Sequence, residues 1–237
     1  MSKNSFFIRY LESNNSFSNM LQIKVFTFNP FYENTYILYD ETNKAVIVDP
    51  GCYEREEREE LMDFIRKEHL QVTELVNTHC HIDHVLGNEF VKTTFKVPLS
   101  IHQKEVAVLK SVQAYAPSYG FAGYQASEPD QFLDPGKVLQ VGNEQLKILY
   151  VPGHSPGHVV FYHAESKTCI AGDTLFQGSI GRTDLPGGDH GTLLNAIKSV
   201  LFTLPEDTIV FPGHGPETSI GAEKEYNPFV GKRAGLR

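Results

Sequence analysis

The 237-residue chain predicts an α/β fold. Short runs with period-two alternation recur along it, helical stripes lie between several of them, and polar clusters follow the strands at their carboxyl ends. Strand, helix, strand and then a polar site is the usual order of an α/β active site. Composition agrees, since 41% hydrophobic and 21% charged residues suit a globular chain long enough for one substantial core. Residues 20–237 read as one catalytic domain. Residues 1–19, Ser/Asn-rich near their end, read as a disordered N-terminal extension that the fold does not need.

No apolar run approaches membrane-spanning length, and the first 20 residues lack the pattern of a secretory signal. A formal net charge of −8 argues against nucleic acid and against an anionic membrane as partners. Three cysteines, Cys52, Cys80 and Cys169, have no CxxC spacing and suit a reducing compartment, so a cytoplasmic location is expected. Monomer and dimer both stay open.

Residues 22–28 alternate Ile23, Val25 and Thr27 against Lys24, Phe26 and Phe28, a strand apolar on at least one face. Asn29-Pro30 turns it, and residues 34–39 and 45–48 form a hairpin around Glu41-Thr42-Asn43. Asp49-Pro50-Gly51 closes the third strand. Residues 54–68 predict a helix with Leu61, Phe64 and Ile65 on one side, and its Glu/Arg run is a solvated face. The next strand is 72–77, followed by a helix over 85–95, a short strand over 98–102 and a helix over 103–112. Residues 113–135 lack periodicity and hold Tyr115, Tyr119, Phe121 and Tyr124, candidates for a pocket wall. The stretch is either a lid or a pair of turns covering a sheet edge. Strands at 142–151, 159–163 and 168–171 precede a glycine-rich loop over 178–191. A helix over 192–201, a strand over 208–211 and a closing helix over 217–226 complete the order.

The densest chemistry follows the 72–77 strand: Thr78-His79-Cys80-His81-Ile82-Asp83-His84. Imidazole is the commonest neutral metal ligand. His79 and His81, two apart in an extended loop, face the same way and can grip one cation; Asp83 and His84 can face a second. Three other strands end near a candidate ligand, namely His154, Asp173 and His214. Seven candidates exceed one tetrahedral site and match two divalent ions sharing a carboxylate, with Asp173 the natural bridge. The donor mix suits zinc, with iron or manganese as alternatives. Two ions about 3.5–4 Å apart activate a bridging water and stabilise an oxyanion, which points to hydrolysis more than to redox chemistry. Cys80, flanked by His on both sides, points away from them and reads as packed. His158 reads as support for the ligands, and His69, His102, His163 and His190 lie outside any ligand-like context. Asp49 is either a turn carboxylate or the acceptor that fixes a ligand imidazole. There is no GxSxG nucleophile.

The histidine cluster resembles the HxHxDH signature of the metallo-β-lactamase superfamily. Later landmarks fall in that family's order: Gly153-His154-Ser155-Pro156-Gly157-His158, Gly172-Asp173-Thr174-Leu175-Phe176 and Pro212-Gly213-His214-Gly215. The resemblance implies a four-layer αβ/βα sandwich, the metallo-β-lactamase fold. It implies that His79, His81 and His154 hold a first metal, that Asp83, His84 and His214 hold a second, and that Asp173 bridges them. His84, where the common zinc β-lactamase subclass has Arg, sets the cluster apart from those antibiotic hydrolases.

Within the superfamily the chain is similar to glyoxalase II (hydroxyacylglutathione hydrolase) and its shorter relatives, including at Thr218, Glu223 and Asn227-Pro228-Phe229. The reaction so implied is hydrolysis of a small-molecule thioester, S-lactoylglutathione or a related one, by attack of a metal-bridging hydroxide. Asp83 and Asp173 belong to the catalytic centre, and Arg182 is the anionic anchor. A thiol, with a pKa near about 8.5, leaves as its anion without a strong acid, which favours a thioester over an ester. The family's Cys-Gly-Lys-Phe-Tyr glutathione loop reads Ile180-Gly181-Arg182-Thr183-Asp184 here. The basic C-terminal domain of full-length glyoxalase II has its counterpart only in Lys232, Arg233 and Arg237. Two alternatives stay open. One is a persulfide dioxygenase with a single iron, whose Gly-Arg-Thr-Asp run is matched at 181–184; the other is a lactonase or esterase on the same dinuclear site.

Overall fold

The structure, a computed structural model, describes residues 20–232 and 234; the expected N-terminal extension, Arg233 and Arg237 lie outside them. Strands β1 (Gln22–Phe28), β2 (Glu33–Tyr39) and β3 (Lys44–Val48) pair antiparallel in sequence. Helix α1 (Arg55–Lys67) then crosses to β4 (Gln71–Val76), which lies parallel to β3. Helices α2 (Ile82–Val85) and α3 (Asn88–Phe95) lead to β5 (Leu99–Ile101), and α4 (Val106–Tyr115) leads towards β6 (Gln131–Phe132). The second half contains β7 (Val138–Val141), β8 (Glu144–Tyr150), β9 (Val159–His163) and β10 (Thr168–Gly172). A small hairpin of β11 (Leu175–Phe176) and β12 (Ser179–Ile180) follows. Then come α5 (His190–Ser199), β13 (Ile209–Pro212), β14 (Thr218–Ser219) and α6 (Ile220–Tyr226). The two large sheets run β1-β2-β3-β4-β5-β6 and β14-β13-β10-β9-β8-β7.

Period-two alternation builds the layers. In β3, Ala45 and Ile47 pack with Leu61 and Ile65 of α1, while Val46 and Val48 meet residues of the other sheet. In β9, Val159 and Phe161 join that inter-sheet core, and Val160 and Tyr162 turn to Leu193 and Ile197 of α5. Three apolar clusters therefore separate helix, sheet, sheet and helix, which is the expected four-layer αβ/βα sandwich. Helix α1 is locally well specified. Glu54 and Glu57 form a capping box at its start, and Arg66 and Lys67 face the negative end of its dipole.

Four elements differ from expectation. The helix expected over 85–95 is two helices, α2 and α3, parted at Gly87, so Asp83 and His84 already sit on a helical turn. A Cβ at Gly87 would stand 2.6 Å from Cys52 Sγ and 2.8 Å from the Pro50 carbonyl, so this close approach requires glycine. The strand expected over 142–151 is β8, and an unanticipated strand before it, β7, pairs with it in a hairpin turned at Gly142-Asn143. Stretch 113–135 is partly ordered secondary structure: α4 runs on to Tyr115, a 3-10 turn covers Ala116–Tyr119, and β6 extends the sheet edge. The glycine-rich loop contains the β11–β12 hairpin.

Candidate metal centre

The site forms where strand ends from both sheets converge. β4 delivers the His79–His84 segment, the β8–β9 turn delivers His154, and the parallel pair β10 and β13 deliver Asp173 and His214 at the same end. All seven predicted donors come together. His79, His81 and His154 form one group, and Asp83, His84 and His214 a second; within each, the donor atoms lie within 4.8 Å of one another. Asp173 stands between them: Oδ2 is 3.6 Å from His154 Nε2 and 3.5 Å from His214 Nε2, and Oδ1 is 3.4 Å from His84 Nε2.

Proton bookkeeping tests whether cations fit. His154 Nδ1 donates to the Arg182 carbonyl at 2.8 Å, and His214 Nδ1 donates to the Phe31 carbonyl at 3.0 Å. Thr78 gives its hydroxyl hydrogen to Asp49 Oδ2, so the 3.1 Å contact between Thr78 Oγ1 and His79 Nδ1 must use a proton on His79. His84 Nδ1 reaches Asp49 Oδ2 at 3.1 Å. With Nδ1 committed outwards in all four rings, each Nε2 faces inwards, and it offers a lone pair there whenever its ring is neutral. His79 Nε2 and His154 Nε2 face each other at 3.2 Å, and His81 Nδ1 lies 2.8 Å from His154 Nε2, so three ring nitrogens share at most the one proton of His81. His84 Nε2 and Asp173 Oδ1 are buried without a hydrogen-bond partner. Inward lone pairs and buried, unpartnered polar atoms suit two divalent cations.

Electrostatics divide the groups. Burial, reinforced by neighbouring imidazoles, pushes His79 well below its ordinary value and His81 down to about 3, and burial also lowers His154. These rings stay neutral, as metal ligation requires. Around Asp173 burial works upward, but His84, His154 and His214 outweigh it and hold the carboxyl below its usual range. His84 moves the other way: burial opposes its charge, yet Asp83 and Asp173 raise it well above its ordinary value. A divalent cation held by His84 with Asp83 and Asp173 would take the place of that proton.

Neighbouring residues fix the donors. Asp49 also accepts from the Thr78 N–H at 2.7 Å, so it is the acceptor for a candidate ligand ring and not merely a turn carboxylate. Although Asp49, His79 and His84 also group together, the ring atoms facing Asp49 are the protonated Nδ1 nitrogens, so this group orients donors and is not a third site. His158 accepts from the Asp173 N–H at 3.0 Å and supports the bridge, as expected. Cys80 packs in the helix-side core of the first sheet, and burial raises its thiol well above its ordinary value. His163, expected outside the site, bonds Glu144 at 2.7 Å through Nε2 and Ser166 Oγ at 2.7 Å through Nδ1, which occupies both ring nitrogens.

Sequence reasoning missed two supports. Glu105, fully buried, accepts from the Cys80 N–H at 2.8 Å and from the Ser155 hydroxyl and Gly157 N–H, both at 2.6 Å. It ties together the two loops that carry His79, His81 and His154. Asn34, at the start of β2, donates its side-chain amide to the carbonyls of Pro212 at 3.1 Å and Gly215 at 2.9 Å, and its N–H to Gly213 O at 2.7 Å. It clasps the turn that carries His214. In sequence Glu105 is one acidic residue beside a helix and Asn34 one polar residue in a strand.

Above the donors opens a cavity of about 1060 Å³. His81, Asp83, His154, Asp173 and His214 reach its floor, whereas His79 and His84 are fully buried. Tyr115 and Tyr119 line it as expected. Phe121 is buried in the first core and Tyr124 packs against that core, so neither belongs to the wall. Arg182 also lines the cavity, but its guanidinium is engaged bidentately by Asp184 at 2.7 and 2.6 Å.

A four-layer sandwich with two donor clusters at its strand ends defines a metal-dependent hydrolase architecture. The chain belongs to the metallo-β-lactamase superfamily, whose family pattern matches residues 28–214. It is 36% identical over 216 residues to the hydroxyacylglutathione hydrolase GloC of Haemophilus influenzae, covering 90% of this chain and 100% of that one. Among solved structures it is similar to BLEG-1 B3 metallo-beta-lactamase, with TM-score 0.79 and 39% identity over 88% of this chain and 99% of the other. It is also similar to TTHA1623 in a di-iron-bound form, with TM-score 0.78 and 33% identity over 87% and 100% of the two chains. Similarity to a B3 enzyme narrows the argument from His84, which now separates this chain from the common subclass and not from every antibiotic hydrolase.

Proposed function

We propose that this protein is a glyoxalase II-like hydrolase of small-molecule thioesters, with S-lactoylglutathione or a related acyl thioester as substrate. The observation that carries this reading is Asp173 set between two donor groups at the floor of a substrate-sized cavity. In this reading His79, His81 and His154 hold one divalent ion, Asp83, His84 and His214 hold the other, and Asp173 is shared. Zinc ions, or iron or manganese, bound there supply Lewis acidity and a water of lowered pKa.

The chain's own residues position and protect. The acceptors Asp49, Phe31 and Arg182 (the last two through their carbonyls) hold the rings in one tautomer. Asp83 lies at the cavity floor, 3.1 Å from His214 Nε2; burial works upward on its carboxyl, but His84 and His214 outweigh it and keep it ionised, as a donor to the ion requires. Burial pushes the Tyr115 hydroxyl up to about 12, which makes it a poor acid. A leaving group that departs as a thiolate fits such a wall better than an alkoxide does. Similarity to a hydroxyacylglutathione hydrolase supports the same substrate class. Three buried, unpaired cysteines support a reducing, cytoplasmic setting, and no helix among the described residues is long and apolar enough to cross a membrane.

The deciding experiment compares S-lactoylglutathione, non-glutathione thioesters, a lactone and a β-lactam on protein of measured metal content. The expected result is two ions per chain and a thioester preference of about tenfold or more in kcat/KM. Preference for the lactone or β-lactam overturns the thioesterase reading. The Gly181–Asp184 run favours one rival, the persulfide dioxygenase. A single iron with oxygen uptake on glutathione persulfide would establish that chemistry instead.

A further inference from the structure

We infer that the cavity selects substrates with a carboxylate-bearing arm and that Lys104 is the residue that receives the carboxylate; the inference deepens, and rests on, the hydrolase reading above. Away from the donor groups, two cations line the cavity, Arg182 and Lys104. They are not equivalent. Asp184 occupies the Nε–Nη2 edge of Arg182 and offsets its charge, so an incoming carboxylate there meets an ion pair that is already neutralised. Lys104 has no ion-pair partner among the described residues, and it is the cavity's uncompensated positive charge.

Lys104 is also held in place. Its Nζ donates to the Tyr150 hydroxyl at 2.8 Å and lies 5.0 Å from the centre of the Tyr150 ring. That hydroxyl in turn donates to the Pro156 carbonyl at 2.7 Å, and His102 stacks on the ring at 5.1 Å. An ammonium has three N–H donors, so two remain for a ligand. The next residue is Glu105, which bonds the loops of His79, His81 and His154. The cation is therefore anchored, one residue away, to the frame of the candidate metal ligands.

The surface between cation and floor completes the specification. Ala107, Val108, Ser111 and Tyr115 follow Lys104 at helical spacing and line the same cavity, with Leu185 and Pro186 also in its wall. Anionic end, apolar middle and reacting carbonyl are the three parts of a substrate that match the anchored ammonium, the mostly apolar helix stripe and the donor floor. A neutral substrate leaves Lys104 unused.

Metal-loaded protein tests this with S-benzoyl mercaptoalkanoates of increasing chain length, each paired with its primary amide. Wild-type protein should prefer the best acid over its amide by about tenfold, expressed mainly in KM, the size expected of one charge-assisted hydrogen bond at a partly open site. The preference should shrink with added salt. In Lys104→Met the ratio should fall to near one, and Lys104→Arg should restore part of it. A ratio that survives in Lys104→Met overturns the inference, as does one that is lost in Arg182→Ala but kept in Lys104→Met. If no thioester is turned over, the hydrolase reading fails, and the inert S-benzyl mercaptoalkanoates and their amides still test Lys104. Calorimetry should then give the same acid-to-amide ratio in Kd for wild type and its loss in Lys104→Met; equal affinities in wild type refute the assignment.

Discussion

Asp49 and Thr78 are joined twice: the Thr78 N–H and hydroxyl both donate to the Asp49 carboxylate, at 2.7 and 2.5 Å. The same carboxylate reaches His84 Nδ1 at 3.1 Å, so one side chain after β3 holds both ends of the segment after β4. Asp49→Asn nearly keeps the shape but presents an amide where two or more donors converge. His84 then loses the acceptor that fixes its tautomer. Affinity for the ion assigned to Asp83, His84 and His214 should fall about 10–100-fold, with the other ion less affected. Chelator competition on folded protein measures this, and two unchanged affinities would contradict the role given to Asp49.

Glu105 predicts a stability effect. Glu105→Ala leaves the Cys80 N–H, the Gly157 N–H and the Ser155 hydroxyl without their buried acceptor. The cost should be about 3–5 kcal/mol, with Tm lower by roughly 10 °C. Thermal unfolding of metal-free protein separates this from lost metal binding; a Tm within a degree or two of wild type would rule it out.

Asp173→Ala should release at least one ion and abolish hydrolysis while the far-ultraviolet circular dichroism stays native. Its carboxylate is the donor placed between both groups. Retained activity with both ions bound would remove its bridging role.

The thiols give a fourth test. Burial pushes Cys52 and Cys169 up to about 12 and raises Cys80 well above its ordinary value. None should react quickly with a disulfide reagent at neutral pH in the native state, and all three should react after unfolding. Rapid labelling of one thiol in native protein would show that its cover opens.

The convergence of the candidate donors was legible because it obeys local rules. His79 and His81 share a face by strand spacing, and each remaining donor follows an apolar run that ends at a turn. The layers were legible from alternation within strands such as β3 and β9. Less visible were features whose cause is remote in sequence. Glu105 bonds residues 25, 50 and 52 positions away, so no window around it shows its purpose. Gly87 parts two helices because Cys52 and Pro50 press against it. Strand β7 went unread because it has only four residues, Val138–Val141, between the irregular stretch and the next strand, although Gly142-Asn143 marks its turn. Phe121 and Tyr124 looked like pocket wall because they are aromatic and near Tyr119; the first core claims them instead.

Each donor group is shared between the two halves of the sandwich. The first half supplies His79 and His81 to one and Asp83 and His84 to the other, and the second half closes them with His154 and His214 and adds Asp173. Neither half alone owns a complete set. Ion capture therefore reports docking of one sheet on the other: a chain divided between β6 and β7 would bind metal tightly only when its fragments reunite, and metal would in turn favour their reunion.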